Sequence, residues 1–106
     1  MEKQQQIKRG GKTVSVEESR LTDEIVILFK PETTTAQKEA IYKLYNLDLV
    51  KIYKSTSACL VKVLTGVVDV VKTANRLDKE QCNSNGVLEY AEINLINTHF
   101  CQAFKD

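Results

Sequence analysis

The chain has 106 residues, 42% of them hydrophobic and 27% charged, with fifteen Lys and Arg against fourteen Asp and Glu for a formal net charge of +1. That length gives one domain with a core that stands without metal or disulfide staples, and the near-neutral balance argues against a nucleic-acid binder, which carries a basic excess on one face. No stretch approaches the roughly 18 apolar residues a membrane span needs, and Met1 to Arg20 is polar with no run of signal-peptide length, so the expectation is a cytoplasmic chain, or a secreted one if a leader was removed.

Residues 1–22 read as a flexible arm, with Gln4-Gln5-Gln6 and Gly10-Gly11 polar and loop-like. Lys3, Lys8, Arg9 and Lys12 make a mild basic cluster, read as solvated, and Thr13-Val14-Ser15-Val16 alternates enough for a short edge strand. The domain follows over residues 23–94. Glu24 to Lys30 is a strand whose five central residues, Ile25 to Phe29, are all apolar, a pattern of strands covered on both faces. Pro31 ends it. Thr34 and Gln37 stand at capping-box spacing, and Ala36, Ala40, Ile41 and Leu44 recur at helical spacing, which predicts a helix over 35–45 with Asn46 at its C-terminal end. Leu47 to Tyr53 and Ala58 to Leu64 read as two strands of a hairpin around Ser55-Thr56-Ser57. Thr65-Gly66 opens a second helix, with Val67, Val70, Val71, Ala74 and Leu77 along one face. The turn-rich Cys82-Asn83-Ser84-Asn85-Gly86 stops it, and Val87 to Ile93 is the fourth strand.

The order strand, helix, strand, strand, helix, strand predicts a ferredoxin-like α+β fold: βαββαβ, a four-stranded antiparallel sheet with two helices on one face. The other face should then be polar. The first strand breaks that rule, because one of its two apolar sets, Ile25, Ile27 and Phe29 or Val26 and Leu28, is left on the open face with apolar residues of the third strand. An apolar patch of that kind marks a partner site. Three occupants are open: a separate protein, a second copy of the chain, or the N-terminal arm.

Little else in the chain carries chemistry. Cys59, Cys82 and Cys101 are odd in number and form no CxxC, and His99 is the only histidine, so neither a zinc site nor a catalytic Ser/His/Asp or Cys/His set is expected. No glycine-rich phosphate loop is present, no cofactor is implied, and an enzyme is not expected. The strands lack the exposed aromatic pairs and basic residues that stack RNA bases. Residues 95–106 form a tail whose start, Leu95-Ile96-Asn97-Thr98-His99-Phe100, is uncharged and extended and closes on an aromatic. Such an end can lie in another protein's groove as an added strand.

Three stretches carry a resemblance. "EIVILFKP" at 24–31, "SACLVKV" at 57–63 and "VLEYAEIN" at 87–94, in that order and with helices between, resemble the propeptide domain of subtilisin-like serine proteases, which also occurs as free-standing inhibitors. The resemblance implies that the partner is a subtilisin-like serine protease. It implies that the open sheet face packs on two surface helices of that protease, that Glu92 and Asn94 cap those helices, that Asn97, Thr98 and His99 lie in the substrate groove, and that Phe100 enters the primary specificity pocket. Asn94 stands where the family often has an acid, so its cap should be the weaker.

Each assignment has a plainer counterpart. Glu92 can be a solvated edge carboxylate, Phe100 can tuck onto its own core, Tyr90 can be a packed strand aromatic, and Cys101 can be an inert thiol. The family's propeptides precede a protease domain, whereas this sequence stops at Asp106; either the chain is a stand-alone inhibitor or partner, which is the expectation, or it is an excised piece of a longer protein. The alternative is a non-inhibitory ferredoxin-like regulatory or dimerisation module, self-associating through the open sheet face.

Overall fold

The computed structural model describes residues 4–9 and 11–96. Its elements are β1 (Gln4–Arg9), β2 (Lys12–Glu17), a 3₁₀ turn (Glu18–Arg20), β3 (Leu21–Phe29), α1 (Thr35–Leu44), β4 (Leu47–Ile52), β5 (Cys59–Val63), a second 3₁₀ turn (Val67–Asp69), α2 (Val70–Gln81) and β6 (Leu88–Leu95). The last four strands form one antiparallel sheet in the order β4-β5-β3-β6. With α1 and α2 this is the ferredoxin-like α+β arrangement expected from the order of elements.

β3 sits inside the sheet, bonded to β5 on one side and β6 on the other. Its alternation decides the faces. Ile25 and Ile27 are fully buried and Phe29 nearly so, whereas Val26 and Leu28 are only half-buried. Ile25 lies opposite Val61 and Ile93, and Ile27 opposite Cys59 and Ala91, so these side chains share the face under the helices. Val70, Ala74 and Leu77 of α2 and Ile41 of α1 close the core from above. Each fully buried aliphatic side chain stabilises the fold by roughly 1.5–3 kcal/mol.

Local chemistry sets the helix ends. The Thr34 hydroxyl accepts from the Gln37 N–H at 3.1 Å, and the Gln37 side chain accepts from the Thr34 N–H at 2.8 Å, which completes the capping box. Asn46 takes the left-handed conformation, φ 57°, just after α1. α2 begins later than its valine periodicity predicts. Gly66, at φ 96°, leads into the second 3₁₀ turn, which takes Val67 and Val68 out of the helix. At the far end Gly86 approaches Gln81 so closely that a Cβ would sit 1.9 Å from its carbonyl oxygen.

The N-terminal segment departs from the flexible arm expected over 1–22. β1 and β2 pair in register from Gln4 opposite Glu17 to Arg9 opposite Lys12, and Gly11 adopts φ 82° at the tight connection. Ile7 and Val16 are buried and join the core, with Val14 packed against them. The hairpin lies against α2 and β6. Lys8 pairs with Asp78 of α2 at 3.4 Å, and the Arg9 guanidinium donates to the Ile93 carbonyl of β6. It therefore belongs to the helix side and the β6 edge rather than covering the open face. Gly-Gly ahead of the alternating Thr13-Val14-Ser15-Val16 is itself a hairpin signal, outweighed in the sequence by the three glutamines.

α1 adds an aromatic contact to the core. Tyr42 meets Phe29 edge to face at 6.0 Å between ring centroids, and Lys38 lies over the Phe29 ring. Burial, and then the neighbouring Cys59, push the Tyr42 hydroxyl from 10.0 up to about 12. The folded state thus holds the Tyr42 proton more tightly than the unfolded chain does. Its contribution is complete below pH 10.0 and is lost as pH rises towards about 12.

Two outcomes follow from this packing. Ile7→Ala is expected to cost about 2 kcal/mol or more in urea denaturation, as for other buried aliphatic truncations; a loss within error would mean that the hairpin does not share the core. Thermal melts of the parent are expected to fall more steeply than those of Tyr42→Phe above pH 10.0, and parallel profiles would exclude the phenol as the cause.

Candidate functional site

The open face follows from register. Val26 lies opposite Leu60 and Glu92, Leu28 opposite Tyr90, and Glu24 opposite Lys62. These side chains alternate with the buried set and therefore point away from the helices. Val26, Leu28, Tyr90, Glu92 and Asn94 are half-buried, and Leu60 is only 7% exposed. The apolar patch expected here is narrower than the sequence suggests. It is a strip of Val26, Leu28 and Tyr90 bordered by Glu24, Lys62 and Glu92, because the third strand contributes a hidden leucine and a charged lysine.

Two of the expected site residues fall on this face. Glu92 stands across from Val26 near the centre of β6. Asn94, two residues on, donates its side-chain amide to the Glu24 carboxylate at 3.0 Å. Its backbone carbonyl accepts from the Thr22 hydroxyl. The amide's donor end is thus engaged within the sheet, and its Oδ1 is the end suited to accept a partner's N–H. The Asp23 carboxylate lies 3.9 Å from the Lys62 ammonium.

β6 is fastened where it ends. The Ile96 N–H donates to the Arg20 carbonyl at 2.8 Å, and Arg20 Nε donates back to the Ile96 carbonyl at 3.1 Å. The chain beyond therefore starts from a fixed point. Asn97, Thr98, His99 and Phe100, the expected groove residues, and Cys101 lie outside the described residues.

The sequence missed where the exposed apolar side chains gather. Val68 is 83% exposed, and Val67, Leu64 and Ile96 are also exposed. Leu21, Val67, Val68 and Val71, with Gln5 and Glu18, line a hollow of about 550 Å³ at the end of the sheet where Leu21 pairs with Leu95. Val67 was expected on the buried helix face, but the 3₁₀ turn ahead of α2 carries it outward. A second group, Leu44, Leu49, Val50 and Ile52, lies along the β4 side.

The perturbed groups elsewhere hold the structure together. The Tyr45 hydroxyl joins the helices by donating to Glu80 at 2.6 Å and accepting from Gln81 at 3.2 Å, with Arg76 over its ring. Burial and then Glu80 raise the hydroxyl's pKa, and that same bond holds the Glu80 carboxyl below its usual range. Burial, and then Asp78, push the Cys82 thiol up to about 11, which makes it a poor nucleophile near neutrality. Among the described residues no three His, Cys, Asp or Glu converge to hold a metal ion, and no helix is long and apolar enough to cross a membrane.

Compared with known proteins, the chain matches no family model, no curated protein and no solved structure.

The Asn94–Glu24 bond makes Asn94 informative. Asn94→Asp sets a second carboxylate beside Glu24 and removes the donated bond. The expected result is a loss of about 1 kcal/mol in urea denaturation near pH 7, shrinking as the pH falls towards the carboxylate range, where one of the two acids takes up a proton. A loss that does not change with pH would mean that the two side chains are not in contact.

Proposed function

We propose that this chain is an inhibitor or folding partner of a subtilisin-like serine protease, docking through the open face of the sheet and presenting its C-terminal tail as a substrate. One observation carries the reading. Glu92 and Asn94 share the open face of β6 beside an apolar strip, and the same strand leads through the Arg20–Ile96 bonds directly into the tail.

The roles follow from the chemistry of those groups. Glu92 accepts N–H bonds from the first turn of a protease surface helix, where negative charge is favoured. Asn94 does the same with a neutral acceptor and contributes less. Val26, Leu28 and Tyr90 supply the apolar contact beside Glu92. Asn97, Thr98 and His99 run along the substrate groove as an added strand, and Phe100 fills the primary pocket. The protease serine then faces the Phe100–Cys101 peptide bond. Inhibition lasts while that bond is cut slowly or while the cut product stays bound. A tail anchored on a rigid domain loses less freedom on binding than a free peptide does. The same docking would steady two helices of a protease that is still folding.

The exposed apolar side chains along β4 favour a second reading, a non-inhibitory ferredoxin-like regulatory or dimerisation module. A chain that associates but leaves every subtilisin-type protease untouched belongs to that class.

Inhibition assays against a panel of subtilisins separate the two. The full chain is expected to inhibit at least one of them. Phe100→Ala is expected to weaken that inhibition by about 30-fold, the loss of one buried aromatic anchor. A chain ending at Ile96 keeps both bonds to Arg20 and should lose more. Equal inhibition by the full and the shortened chain would overturn the groove reading.

A further inference from the structure

The two edges of the sheet are finished differently. Along β6 the hairpin lies close by, with Arg9 on the Ile93 carbonyl. Along β4 no described strand pairs with the outer side. A bare edge is a template for another strand unless something blunts it. Here the edge is apolar, since Leu49, Val50 and Ile52 are exposed, Ile52 by 57%. The Asn46 carbonyl accepts from Leu64 at 3.0 Å and the Tyr53 N–H donates to Ala58 at 2.8 Å, both towards β5. Alternation therefore turns the backbone groups of Leu47 and Ile52 outward.

A bulge sets the side chains of this edge. Leu49 lies opposite Val61 but Lys51 opposite Leu60, so Val50 is the extra residue. Asp48, opposite Lys62, and Lys51, opposite Leu60, then share the open face although they are three apart in sequence. In a regular strand they would face opposite ways. The Lys51 ammonium is held 4.8 Å from the centre of the Tyr53 ring. The Asp48 carboxylate makes no ion pair among the described residues.

We infer that β4 is a homodimerisation edge, pairing antiparallel with β4 of a second copy about a two-fold axis normal to the sheet. In the matching register Asp48 lies opposite Lys51 of the second copy, Lys51 opposite its Asp48, and Leu47 opposite its Ile52. Outside the bulge, each of these pairs joins side chains of one face. A slip of one residue sets open-face side chains against helix-face ones. Lysine and a bulge ordinarily discourage edge pairing, but here the bulge is what gives each lysine an opposite charge in the second copy. Cross-strand pairs of opposite charge stabilise a ladder, and like charges directly opposite destabilise it. β4 and β6 are the two opposite edges of the sheet, so this pairing stands whether or not the tail serves a protease.

Sedimentation velocity on the full chain, up to the millimolar range, tests it. The parent is expected to form a reversible, concentration-dependent dimer. Asp48→Lys alone and Lys51→Asp alone each place like charges at both symmetric positions and are expected to weaken the dimer about tenfold. An equal mixture of the two variants restores opposite charges at both positions and should recover the dimer as a heterodimer. Asp48→Lys/Lys51→Asp in one chain should dimerise like the parent, and circular dichroism checks that all variants fold. A parent that stays monomeric overturns the proposal. So does a dimer indifferent to both single changes, which would place self-association on another surface, or a mixture and a double variant that fail to recover.

Discussion

Everything in this fold depends on one strand being hydrogen-bonded on both sides and packed on one. β3 joins β5 to β6 and carries Ile25 and Ile27 into the core with no exposure at all. That burial fixes the register, because a slip of one residue would turn those isoleucines to water and bring Val26 and Leu28 beneath the helices. The same register decides what β6 shows to the outside. Glu92 and Asn94 face outward because Ala91 and Ile93 face in, opposite Ile27 and Ile25. The proposed protein-binding face is thus the reverse side of the core.

The fold was legible because each main element carries its own signal. Thr34 and Gln37 announce a helix start that exists atom for atom, Asn46 announces its end, and the apolar run from Ile25 to Phe29 announces a strand, although it reads as covered on both faces and Val26 and Leu28 are only half-buried. What escaped depended on neighbours distant in sequence. Ile7 reads as part of a polar arm, and Val16 as the end of a short edge strand on it, because the elements β1 packs on, α2 and β6, lie far along the chain. The apolar residues of the third strand were expected to add to the open face, yet Leu60 is only 7% exposed. Val67 fits a helical stripe by spacing, but Gly66 at φ 96° lets the chain make a 3₁₀ turn first. Of the six site residues expected from the sequence, the structure brings Glu92 and Asn94 onto one face. The other four fall in residues 97–100, outside those described.

The exposed apolar side chains fall in separate regions. The middle of the open face is mixed, with the apolar Val26, Leu28 and Tyr90 among the charged Glu24, Lys62 and Glu92. The end where the tail leaves carries Val67, Val68 and Ile96, beside the hollow lined by Leu21 and Val71. The β4 edge carries Leu49, Val50 and Ile52, and is the edge proposed above to pair with a second copy.

The open face of β3 and β6 is the proposed seat of a subtilisin-like protease. The most direct measurement is amide chemical-shift mapping of the isotope-labelled chain, titrated with a subtilisin whose nucleophilic serine has been replaced by alanine. The largest changes are expected at Val26, Leu28, Tyr90, Glu92 and Asn94 and along the tail beyond Ile96, with α1 and α2 little affected. Saturating protease that leaves those signals in place, or shifts only the helices and β4, would contradict the proposal.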